Sequence, residues 1–90
     1  MNVSLAQLTT DEGAYDERKV ITQGTVRQFQ DPDSTVYEVI EDGNANRVEL
    51  LPASAATGYV GHRVEVMGTF HVDDQGGRSI SVERVTLPGG

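Results

Sequence analysis

A chain of 90 residues without cysteine is one small domain with a single apolar core, and neither disulfides nor thiolate metal centres can support it. No apolar run approaches the roughly 18 residues of a membrane-crossing helix, and the amino terminus lacks the basic-then-apolar order of a secretory signal, so a soluble chain is expected, cytoplasmic or excised from a longer exported protein. The 14 Asp and Glu against 7 Lys and Arg leave a formal net charge of -7, which opposes broad contact with DNA or RNA phosphates and favours solubility.

Residues 1–17 read as a helical or irregular cap. Ser4 is a candidate helix cap, Thr9 to Gly13 a break, and Val3, Leu5, Leu8 and Tyr15 are positioned to cover one end of a sheet. Arg18 to Gln30 has the alternation of a long first strand, with Val20, Thr22, Gly24 and Val26 on one face and Ile21, Gln23, Thr25 and Arg27 on the other. Asp31-Pro32-Asp33-Ser34 ends it, because Pro cannot donate to a ladder and Asp and Ser favour turns. Thr35 to Glu41 is the second strand, Asp42-Gly43-Asn44 a hairpin signal and Asn46 to Leu51 the third strand. Pro52 to Gly61 holds at most a turn or two of helix between Pro and Gly. His62 to Val72 is the fourth strand, Asp73 to Gly77 a glycine-rich turn and Arg78 to Leu87 the fifth, with 88–90 as a tail.

One pattern occurs twice: Val20-Ile21-Thr22-Gln23-Gly24-Thr25-Val26 and Val64-Glu65-Val66-Met67-Gly68-Thr69-Phe70. A glycine at the same internal position of two strands lets each coil sharply or lets another backbone come close. Three strands, a connector and two more strands, with matched bends, predict an all-β, five-stranded Greek-key barrel of the oligonucleotide/oligosaccharide-binding (OB) type over residues 18–87 of a single domain. From Lys19 to Leu87 the chain resembles bacterial single-domain OB-fold families, including the tRNA-anticodon-like and small exported OB proteins. The likeness rests on the first of these repeats, on Tyr37-Glu38-Val39-Ile40-Glu41-Asp42, on Val60 to Phe70 and on Ile80 to Val85. These are fold-forming positions, so the resemblance implies architecture first.

The haem-chaperone OB domain of cytochrome c maturation shares this strand order, and its family attaches haem through a histidine near the carboxyl end followed by tyrosine. Ser79 to Gly90 contains neither residue, so no haem or other cofactor is expected. His62 and His71 sit at opposite ends of one expected strand, roughly 30 Å apart at about 3.3 Å per residue, too far to share a metal. His71 with Asp73 and Asp74 reads as ordinary turn chemistry, and no metal site is expected. The acids from Asp31 to Asp42 lack the sixth-position glycine of a calcium loop, since Val36 stands there. No serine lies in a nucleophile elbow, and Gly76-Gly77 lacks the helix and Lys-Ser/Thr pair of a phosphate loop, so no enzyme activity is expected.

A binding face remains. In OB barrels it crosses strands two and three between the loops joining strands one to two and four to five, which makes Arg27, Phe29, Tyr37, Arg47, Arg63, His71 and Arg78 the candidate ligand contacts. Single-stranded nucleic acid, which needs aromatic platforms flanked by cations, is one expected partner, although the net charge opposes it. A protein or a small polar ligand is the other, and the chain is expected to be monomeric. The bland alternative packs Tyr37 in the barrel or on its rim and pairs the arginines with Glu38, Glu49 and Glu83.

Overall fold

The computed structural model describes residues 1–88. Local pattern decides most of its elements. Ser4 caps helix α1 (Leu5–Thr10) with a reciprocal box: its hydroxyl accepts from the Gln7 N–H, and the Gln7 side chain accepts from the Ser4 N–H. The expected break is narrower than Thr9 to Gly13, because only Asp11 separates α1 from the short helix α2 (Glu12–Tyr15). The strands are β1 (Lys19–Gln30), β2 (Val36–Glu41), β3 (Arg47–Leu51), β4 (Arg63–Val72) and β5 (Arg78–Thr86), each within a residue of its expected bounds. A single 3-10 turn (Thr57–Tyr59) occupies the connector between β3 and β4. Of the expected tail, residues 89 and 90 lie outside the described residues.

The five strands close into one ring in the order β1-β2-β3-β5-β4. Strand β1 serves two neighbours in turn, pairing with β4 from Lys19↔Thr69 to Thr25↔Arg63 and with β2 from Thr25↔Glu41 to Gln30↔Val36. Parallel pairing of β3 with β5, Glu49↔Ser79 to Leu51↔Ser81, closes the barrel. Gly24 sits at the handover. A Cβ there would lie 2.7 Å from the Glu41 carbonyl oxygen and 2.8 Å from both Ile40 Cγ1 and Leu5 Cδ1. Gly68 marks the second bend: Met67 pairs with Arg84 but Gly68 with Val82, so Glu83 is an extra residue bulged out of β5. A Cβ on Gly68 would collide with the Ser81 carbonyl of that bulged strand.

Val20, Val26, Ile40, Val48, Leu50, Val64, Val66, Phe70 and Ile80 fill the interior, and Val3, Leu5 and Leu8 cover one end, with Tyr15 packed partly against them. The Val3 N–H donates to the Ile21 carbonyl at 2.9 Å and so ties the first residues to the edge of β1. No helix among the described residues is long and apolar enough to cross a membrane.

One expectation is overturned. Glu38, read as a surface partner for arginine, is fully buried, because alternation along β2 turns it inward with Ile40. Its carboxylate accepts from the Ala56 N–H at 2.8 Å and from the Thr57 hydroxyl at 2.7 Å. A buried carboxylate is costly unless its oxygens are hydrogen-bonded, and here the connector supplies the donors. Glu38 thereby fixes where the connector lies.

Candidate functional site

The parity that sets Glu38 and Ile40 inward puts Tyr37, Val39 and Glu41 on the outer face, where Val39 is nonetheless buried, and the same logic turns out Arg27 and Phe29 on β1 and Arg47 and Glu49 on β3. Register then assembles them. Phe29 lies opposite Tyr37, Arg27 opposite Val39, and Glu41 opposite Arg47. The Phe29 and Tyr37 rings pack with centroids 5.7 Å apart at 32°, a tilted aromatic pair. Arg47 reaches over β2 and places its guanidinium carbon 5.1 Å from the Phe29 ring centroid, within cation–π range.

Glu41 joins the two cations. Its Oε1 accepts from Arg27 Nε at 2.7 Å and its Oε2 from Arg47 Nε at 2.7 Å. The Arg27 hydrogen bond, helped by Arg47 and opposed by burial, holds the Glu41 carboxyl below the usual glutamate range. The Glu41 side chain is only 12% exposed, whereas the arginine side chains are 58% and 56% exposed, so the cations lie over the carboxylate. Val60 and Gly61, from the connector that Glu38 braces, complete a groove of about 320 Å³ with Arg27, Gln28, Phe29, Glu41 and Arg47.

Four of the seven sequence-derived candidates, Arg27, Phe29, Tyr37 and Arg47, therefore meet on one face. The other three lie elsewhere. Arg78 donates to Glu12 at 2.6 Å and to the Thr9 carbonyl at 3.3 Å, which clamps the amino-terminal helices to β5. Arg63, at the start of β4, contacts Gln23 at 3.4 Å and borders a second cavity of about 440 Å³ between the amino-terminal segment and β1. Thr22 also lines that cavity, and its hydroxyl is buried without a partner among the described residues.

His71 bonds Glu17 through Nδ1 at 2.9 Å and Ser81 through Nε2 at 3.1 Å. That order of hydroxyl, imidazole and carboxylate matches a nucleophile, its base and an orienting acid. Acyl transfer also needs donors aimed at a developing oxyanion. Ser81 pairs with Leu51 on one side and Thr69 on the other, so its backbone lies inside the sheet. Glu17 and Ser81 are exposed, and neither cavity described here includes His71. The arrangement ties the β1 approach to β4 and β5. Among the described residues no group of three His, Cys, Asp or Glu side chains could hold a metal ion.

Sequence reasoning missed Glu41 and the Val60-Gly61 wall. The signal for Glu41 was present: a hairpin centred on Asp42 to Asn46 puts Glu41 opposite Arg47.

The fold defines the chain as an OB-like β-barrel. No family model matches it, and no curated protein does. Among solved structures it is similar to a crystal structure assigned as an aspartyl-tRNA synthetase from Leishmania major Friedlin, with a TM-score of 0.66 over 96% of this chain and 13% sequence identity. This chain spans 20% of that one, and at this identity the likeness is one of fold.

Proposed function

We propose that the chain is a noncatalytic OB-fold module that binds single-stranded nucleic acid across the outer face of β1, β2 and β3. The observation that carries this reading is the Phe29–Tyr37 pair flanked by Arg27 and Arg47. Bases stack on aromatic rings for about 1–3 kcal/mol each, and guanidiniums track the backbone between them. The similar structure assigned as a tRNA synthetase supports a nucleic-acid role for the fold. The noncatalytic part rests on the exposure of Glu17 and Ser81 and on His71 lining neither cavity.

Charge sets the form of binding. Two arginines against Glu41 leave one net positive charge at the groove, and Glu49, opposite Val39 on the same face, brings the whole face to neutrality. One to two phosphate contacts on a single strand correspond to a log–log salt slope of only about -0.7 to -1.4, so stacking must lead. The same neutralisation favours a second reading, a face for a protein or a small polar ligand, in which apolar contact matters more than phosphate.

The test is an amide-shift titration at low salt with oligo-dT and oligo-rU. Shifts concentrated at Arg27, Phe29, Tyr37 and Arg47, and their loss in Phe29→Ala, are the expected result. Silence at those positions at millimolar oligonucleotide would eliminate the nucleic-acid reading and leave the second.

A further inference from the structure

Resting on the nucleic-acid reading, we propose that Glu41 is a built-in competitor for ligand phosphate, filling an anion cradle made by Arg27 and Arg47 that opens when the carboxylate is exchanged for a phosphate. Each carboxylate oxygen takes one Nε–H at 2.7 Å, from arginines on the two strands either side of β2. A phosphate can offer the same two guanidiniums two oxygens, with more charge. The cradle is built and already holds an anion.

The stacking surface is occupied in the same way. Arg47 lies over the Phe29 ring, where an incoming base would stack. A nucleotide must therefore displace a planar group from Phe29 and an anion from between the guanidiniums. Both are supplied by the chain itself, and both are linked through Arg47. Removing Glu41 frees both cations and lets Arg47 leave the ring.

The carboxylate adds little to the fold beyond these contacts. The Glu41 backbone is held by its pairing with Thr25 and Arg47 whatever the side chain. Two partly exposed ion pairs are worth roughly 5- to 10-fold in an equilibrium constant, which is the gain in affinity expected on removing the competitor. One more uncompensated cation steepens the salt slope by about 0.7.

The experiment follows the Nε–Hε signals of Arg27 and Arg47 in the parent, Glu41→Gln and Glu41→Ala, each verified as folded by thermal melting, while inorganic phosphate or oligo-dT is added. The expected result is movement of both arginine signals together, with either ligand bound 5- to 10-fold more tightly by both variants than by the parent. Equal affinities in all three proteins, or arginine signals in the variants that ignore phosphate, would overturn the proposal. Phosphate captured by the variants with no oligonucleotide binding to any protein would uphold the cradle and sink the nucleic-acid reading. Oligonucleotide binding of equal strength in all three would do the reverse.

Discussion

Replacing Glu38 tests how the connector is held against the barrel. In Glu38→Ala the Ala56 N–H loses its acceptor in a residue that is 1% exposed, and an unsatisfied buried donor costs about 1–3 kcal/mol. The side-chain volume also becomes a cavity, while relief of a buried charge offsets part of the loss. A net destabilisation of about 2–3 kcal/mol follows, equivalent to a fall in Tm of roughly 10–20 °C for a domain of this size. Glu38→Gln should behave differently. Its carboxamide oxygen can accept from Ala56 while its amide donates to the Thr57 oxygen, whose hydroxyl already lies 3.3 Å from the Ser54 carbonyl and can turn to it. That variant should remain within about 1 kcal/mol of the parent. Urea unfolding gives the two free energies, and hydrogen exchange at Ala56 should accelerate in Glu38→Ala well beyond the change at Val48. Equal stability of Glu38→Ala and the parent, or Gln as damaging as Ala, would refute the brace.

Three further outcomes rest on separate features. Gly24→Ala should cost about 1–3 kcal/mol, since two of its three close contacts are side-chain atoms, and Gly68→Ala should reach or exceed the top of that range because its closest contact, the Ser81 backbone, is nearer still; melting curves that place Gly24→Ala below Gly68→Ala would reverse this ranking. Ala45 in the β2–β3 turn has φ of 66°, so Ala45→Gly should raise stability by roughly 0.5–1 kcal/mol, and a lowered Tm would show that the left-handed conformation carries no strain. The carboxyls of Glu41, held chiefly by Arg27, and Asp42, held chiefly by Asn46, both titrate below their ordinary ranges. A depressed folded-state pKa gives stability that is present above the unfolded value and lost as pH falls through the folded one, so the parent should lose more than an E41Q/D42N double variant from about pH 5 downward; parallel urea midpoints would contradict it.

The strands were legible because their determinants are local. Alternating β-branched residues end at Pro, Asp and Gly clusters, and the ends observed differ from those expected by a residue at most. Gly24 and Gly68 were legible as close approaches because a side chain at that point in both repeats would have to fit inside a bend. Glu38 was misread for an equally physical reason. Charge argues for the surface, but parity with Ile40 argues for the interior, and parity wins when a neighbouring segment supplies donors. Nothing near Glu38 in sequence announces Ala56 and Thr57, 18 and 19 residues away. Arg78 was harder still, because its partner Glu12 is 66 residues distant and in another element. Strand parity alone predicts the face of Arg27, Phe29, Tyr37 and Arg47; it cannot say that Glu41 draws two of them together.

The net charge of -7 and the candidate face are compatible only if local charge differs from the average. Around the groove it does: Arg27 and Arg47 outweigh Glu41 there, Glu49 brings the rest of that face only to neutrality, and Lys19 and Arg78 are taken up by Glu83 and Glu12 away from it. At a Debye length of about 8 Å in physiological salt, the distant acids are largely screened from a phosphate in the groove. They still act during approach, when a polyanion far from contact meets the field of the whole chain. Association should therefore be slow and weakly sensitive to the groove's own charge, while dissociation should depend on Phe29, Tyr37 and the exchange of Glu41 for ligand. On the proposed reading, such a face would discriminate by what stacks and displaces, and the acidic remainder would suppress nonspecific capture of long polyanions.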